Sequence, residues 1–81
     1  MIEVLKFSAS WCTPCKVLAA TLKDVEGITS IDVDADRDKA IEYNVRSVPT
    51  LVFVKDGQEV ERTKGIISLA QYKEIINRLN N

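Results

Sequence analysis

The stretch Ile2-Glu3-Val4-Leu5-Lys6-Phe7-Ser8-Ala9-Ser10-Trp11-Cys12-Thr13-Pro14-Cys15-Lys16 decides how the rest of the chain is read. Ile2 to Ala9 reads as a strand that is apolar on both faces, with Ile2 and Val4 on one and Leu5 and Phe7 on the other. That is the pattern of an interior strand covered on both sides. Lys6 is its one misfit. A helix follows, and Cys15, Leu18, Leu22 and Val25 recur on it at helical spacing, while Lys16, Lys23 and Asp24 fall off that stripe. Pro14 suits the first helical turn, where its missing N–H does no harm. Gly27 is a natural stop. Both cysteines of the chain therefore stand where a strand ends and a helix begins.

Outward from this junction, Ile28 to Asp34 is a second strand, and Thr29, Ser30 and Asp32 among its apolar residues mark it as a sheet edge. Asp36 or Asp38 can cap a short helix that runs to about Tyr43. Thr50 to Lys55 is again apolar on both faces. Asp56-Gly57 is a strong hairpin turn, and Gln58 to Lys64 is a charged strand of the kind that protects an exposed edge. Gly65 breaks it. Ser68-Leu69-Ala70-Gln71 has the form of a capping box and opens a last helix with Leu69, Tyr72, Ile75, Ile76 and Leu79 on one face. The order β-α-β-α-β-β-α predicts a single α/β domain over residues 1–81, with helices flanking a four-stranded mixed sheet. The first two strands, joined by a helix, are expected to run parallel.

Composition narrows the function. The chain has 81 residues and a net charge of −1, so no basic surface points to nucleic acid. No apolar run approaches the roughly 20 residues that a membrane helix needs. The first residues alternate like a strand and carry no basic leader, so the expected compartment is the cytoplasm. Two cysteines and no histidine make a poor zinc site, which normally takes four protein ligands, so no metal is expected. Asp32, Asp34, Asp36 and Asp38 are spaced like a calcium loop but lack its glycine and its closing glutamate in either register.

Chemistry is the better reason for the cysteine pair. A disulfide between Cys12 and Cys15 closes a very short loop and restrains the unfolded chain little. A helix N-terminus, by contrast, carries unpaired N–H groups and partial positive charge, and it favours a thiolate. The stripe places Cys15 inward with Leu18 and Leu22, so Cys12 is expected to be the more accessible of the two. One exposed thiolate and one shielded thiol suit a two-step exchange: Cys12 attacks a substrate disulfide, and Cys15 then attacks the mixed disulfide and releases reduced substrate.

The segment Phe7 to Lys16, with Trp11-Cys12-Thr13-Pro14-Cys15 at its centre, resembles the active-site segment of the thioredoxin family. Val48-Pro49-Thr50 resembles that family's cis-proline loop, and Lys55-Asp56-Gly57 and Gly65 match its hairpin turn and the glycine after the last strand. The resemblance implies a thioredoxin-like fold and a protein-disulfide oxidoreductase. Cys12 would be the nucleophile and Cys15 the resolving thiol. Trp11, Thr13, Pro14, Val48 and Pro49 would meet the substrate, with Trp11 shielding the pair and the backbone of Val48 pairing with an extended substrate segment. From the residues alone Pro49 is simply a loop residue before a strand; its cis bond is implied by the family. No cofactor is required, because the cysteines carry the electrons. The implied partners are disulfide-containing client proteins and a thioredoxin-reductase-type electron donor, for a chain acting as a monomer without nucleic acid or membrane.

Three positions depart from the family pattern. Thr13 stands where glycine is usual. Lys6 stands where a buried carboxylate is usual, and Ser30 aligns with the lysine that commonly partners that carboxylate. Alternation puts Lys6 on an apolar face, and strand parity puts Asp32 on the same face of the neighbouring strand. A Lys6–Asp32 pair beneath the cysteines, tuning their pKa, is therefore the expectation, with a solvated Lys6 as its alternative. Two further functions stay open at this stage. One is a glutaredoxin-like, glutathione-dependent reductase, which Ile66 after Gly65 disfavours. The other is a thioredoxin-fold interaction subunit of a larger enzyme.

Overall fold

The computed structural model describes all residues, 1–81. The elements are β1 (Ile2–Ser8), α1 (Thr13–Thr21), β2 (Ile28–Asp32), α2 (Arg37–Glu42), β3 (Thr50–Lys55), β4 (Gln58–Lys64) and α3 (Leu69–Leu79). The strands form one four-stranded sheet in the order β2-β1-β3-β4. β1 runs parallel to β2 and antiparallel to β3, and β4 closes the far edge antiparallel to β3. The doubly apolar strands β1 and β3 are thus the interior pair, and the polar β2 and β4 are the edges.

Alternation along β1 and β3 sorts the core into two layers. Val4, Leu51 and Phe53 pack with Leu18 of α1, with Leu22 just past its end, and with Tyr72 and Ile75 from α3. Leu5, Phe7, Val52 and Val54 face the other way and pack with Ile31 and with Ala40 of α2. Phe7, Leu18, Leu51, Val52 and Phe53 have no exposure. Each such side chain contributes about 1.5–3 kcal/mol by leaving water. The Asp56-Gly57 hairpin takes positive φ at both residues, 53° and 83°, the combination that matches the twist of paired strands. Ser68 and Gln71 form the expected capping box. Ile67, just ahead of the cap, is buried in the same layer as Tyr72 one turn on, which makes a hydrophobic staple.

The structure departs from the sequence reading at several element ends. β2 stops at Asp32 rather than Asp34. The Asp32 Oδ1 accepts the backbone N–H groups of Asp34 (2.9 Å) and Ala35 (3.4 Å), and its carbonyl accepts that of Asp36 at 2.8 Å. These bonds turn the chain out of the strand. Asp36, not Asp38, caps α2. Helix α1 ends at Thr21 with Leu22 as its cap, well before Gly27. A further turn, closed by the Val25 N–H on the Leu22 carbonyl at 3.0 Å, still lets Val25 pack on the core. Leu69, expected in the core, is exposed at the first residue of α3.

Candidate functional site

The site is built where β1 runs into α1. Cys12 is the N-cap of α1, with extended backbone (φ −96°, ψ 108°), and Pro14 sits in the first turn. Cys12 and Cys15 are joined as a disulfide with their Cα atoms 5.3 Å apart. The backbone N–H of Cys15 points at the Cys12 Sγ, 3.2 Å away. An acceptor in this place satisfies one of the helix's unpaired donors. The same donor, with the positive end of α1 behind it, would favour negative charge on Cys12.

The second wall comes from the loop between α2 and β3. The Val48–Pro49 peptide is cis, and the Val48 carbonyl oxygen lies 3.7 Å from the Cys12 Sγ. Pro49 is buried and Val48 half-buried. Two bonds hold this loop: the Thr50 hydroxyl donates to the Ser47 carbonyl (2.7 Å), and the Gly65 N–H donates to the Pro49 carbonyl (2.9 Å). Ala9, Cys12 and Cys15 form a small buried cluster against Val33 and Val48. Both cysteines are only 4% exposed. The expected difference in access is therefore not seen in this disulfide form. Val48 and Val33 pack against the cluster that holds Cys12, and neither belongs to the helical stripe on which that expectation rests.

Trp11 is 68% exposed, and its indole N–H donates to Asp34 Oδ2 at 2.8 Å. Thr13 and Pro14 are exposed beside the disulfide. Trp11, Val33, Val45, Arg46, Ser47 and Val48 line a groove of about 150 Å³ along the cis-proline loop. Val33, Asp34, Val45 and Arg46 are site residues that sequence reasoning missed. The signal available for them was proximity in sequence to Val48 and to the aspartate-rich turn.

The Lys6–Asp32 pair does not form. In the parallel register Lys6 faces Ser30, and Asp32 faces Ser8, one strand repeat further on. The Asp32 carboxylate is taken up by the backbone of its own turn. Lys6 is half-buried and makes neither a hydrogen bond nor an ion pair. Neither residue touches a cysteine through a polar contact.

A disulfide at a helix N-terminus, faced by a cis-proline loop on a four-stranded mixed sheet, can pass two electrons by thiol exchange. The thioredoxin family model matches residues 2–78. The chain belongs to the thioredoxin family. A thioredoxin of Staphylococcus aureus is 36% identical to it over an alignment that spans 95% of this chain and 81% of that one. Among solved structures, a point variant of the thioredoxin from Halobacterium salinarum NRC-1 superposes with a TM-score of 0.89 at 33% identity, over 95% of this chain and 73% of that one. The thioredoxin of Fasciola hepatica superposes with a TM-score of 0.82 at 36% identity, over 95% and 79%. With these relatives and its Cys12–Cys15 disulfide, the chain is a thioredoxin-like dithiol–disulfide oxidoreductase. Family members in general take disulfide proteins as substrates and electrons from a reductase. No helix is long and apolar enough to cross a membrane.

Proposed function

We propose that this chain reduces disulfides in client proteins, with Cys12 as the attacking thiolate and Cys15 as the resolving thiol. The observation that carries the assignment is the Cys15 N–H aimed at the Cys12 Sγ at the N-cap of α1. In the reduced protein the Cys12 thiolate attacks one sulfur of a client disulfide. A mixed disulfide forms and the first client thiolate leaves. Cys15 gives up its proton to water and attacks the Cys12 sulfur. The second client thiolate leaves, and the Cys12–Cys15 disulfide closes. Two electrons have then passed to the client, and a reductase-type donor returns two to the cysteine pair.

The client would lie extended against Val48 and Pro49, over Trp11, Thr13 and Pro14. The exposure of these last three residues and the nearness of the Val48 carbonyl to Cys12 support that placement. We read residues 1–81 as one domain, working as a monomer in the cytoplasm. Insulin reduction by dithiothreitol tests the activity: the protein should accelerate chain precipitation well beyond dithiothreitol alone. Cys15→Ser should trap mixed disulfides with clients, whereas Cys12→Ser should trap few. A folded protein that leaves the dithiothreitol rate unchanged would refute the reading and favour a purely binding role.

A further inference from the structure

Arg46 is the only ionised residue among those that line the groove beside the disulfide. It is exposed and belongs to no ion pair. Its Nε donates to Asn44 Oδ1 at 3.2 Å, and its two terminal nitrogens make no hydrogen bond within the chain. The carboxylate nearest in role, Asp34 on the Trp11 side, already accepts the indole N–H.

The support under Arg46 is built from distant parts of the chain. Asn44 takes a left-handed conformation (φ 53°) after α2. The Asn44 N–H bonds to the Ile41 carbonyl (3.0 Å) and the Val45 N–H to the Ala40 carbonyl (2.8 Å), a helix-ending motif that suits asparagine. From β4, Arg62 donates to the carbonyls of Tyr43 and Asn44 and is itself held by Glu59 at 2.7 Å. The Asn44 side chain that steadies Arg46 thus stands on a fixed turn. A guanidinium held at Nε with both terminal nitrogens free offers paired donors to a carboxylate.

We propose that Arg46 is a specificity-determining residue: it selects client disulfides whose flanking segment carries an aspartate or glutamate that reaches this groove. The proposal rests on the oxidoreductase reading above. The valines and Trp11 would take the client's apolar contacts, which discriminate weakly, and Arg46 would supply the charge contact that distinguishes one client from another.

The test uses synthetic peptides, each with one cysteine in mixed disulfide with 2-mercaptoethanol. Each carries a single aspartate, or asparagine in its place, stepped through the positions on either side of the cysteine. The readout is the Asp/Asn ratio of kcat/KM, with each rate divided by that of the same peptide with dithiothreitol to remove differences in intrinsic reactivity. The wild-type protein should favour aspartate at one or two positions by roughly two- to fivefold at low salt, the range of an exposed charge pair, and less at high salt. Arg46→Met should bring the ratio to unity, and Arg46→Glu should carry it below unity. A ratio of unity at every position in wild type, or a preference that survives in Arg46→Met, overturns the proposal while leaving the oxidoreductase reading intact. Failure of the wild-type protein to reduce any peptide overturns both.

Discussion

The capping role of Cys12 is open to a direct thermodynamic test, and it carries the assignment of the nucleophile. Among the donors of the first turn of α1, Pro14 has no N–H, and the Lys16 N–H reaches the Cys12 carbonyl at 3.4 Å. The Cys15 N–H is buried and reaches the Cys12 Sγ. Cys12→Ala removes that acceptor. Loss of a cap side chain costs about 0.5–2 kcal/mol, and a buried unsatisfied donor costs about 1–3 kcal/mol; the overlap is about 1–2 kcal/mol. Cys12→Ser puts an oxygen back where the sulfur was. Both variants lack the disulfide and keep one free thiol, so the comparison isolates the side-chain oxygen at position 12. At roughly 4–8 °C per kcal/mol for a domain of this size, the serine variant should melt about 5–15 °C above the alanine variant in reductant. Equal melting temperatures would refute the cap.

The kinetic counterpart follows from burial. The two cysteines are equally covered, at 4% each, so access gives neither of them an advantage in this arrangement. Cys15→Ser, which leaves Cys12, should alkylate much faster at neutral pH than Cys12→Ser, which leaves Cys15, because the field at the helix N-terminus favours the Cys12 thiolate. Equal rates would remove the ground for naming Cys12 the nucleophile.

Three further outcomes are expected. Lys6→Met should hold the melting temperature level or raise it by a few degrees, because the half-buried ammonium has no partner to lose; a loss above about 1 kcal/mol, the upper range for a surface pair, would reveal a hidden one. Leu18→Ala, at a site with no exposure one turn beyond Cys15, should cost about 2–5 kcal/mol, measured as a lowered urea midpoint; a cost below about 1 kcal/mol would mean that α1 is not anchored there. Arg62, through its hydrogen bond, holds the Glu59 carboxyl below its ordinary 4.5. That stabilisation is complete above pH 4.5 and fades as pH falls through the lowered value, so Glu59→Gln should lose less stability than wild type on acidification below 4.5. Parallel curves of Tm against pH would contradict it.

Much of the fold was legible because neighbouring residues determine it. The doubly apolar runs Val4–Phe7 and Leu51–Val54 could only be interior strands. Asp56-Gly57 carries its own turn, and Ser68 with Gln71 its own cap. The cysteine pair at the strand–helix junction was legible for the same reason. The burial of Cys12 was not, because it depends on Val33 and Val48, which fold onto it from other elements. The support of Arg46 was hidden for the same reason: Arg62 reaches Asn44 across 18 positions of sequence.

The Lys6–Asp32 expectation failed for a different and more general reason. Strand parity was right, since Lys6, Ser8, Ser30 and Asp32 share one face of the sheet. Parity fixes the face and leaves the distance along the strand open, and the register sets the two side chains one repeat apart. An aspartate at the end of a strand also has a nearer choice. The N–H groups two and three residues ahead lie within reach of its carboxylate wherever the chain turns, and reaching them orders no second long side chain. A lysine on the next strand must give up rotamer freedom of about 1.5–2 kcal/mol to meet it, more than an exposed pair returns. Asp32 therefore takes the local bonds, β2 ends there, and the turn that follows delivers Asp34 to Trp11 at the edge of the site. The acid that seemed available to tune the cysteines instead shapes the wall beside them.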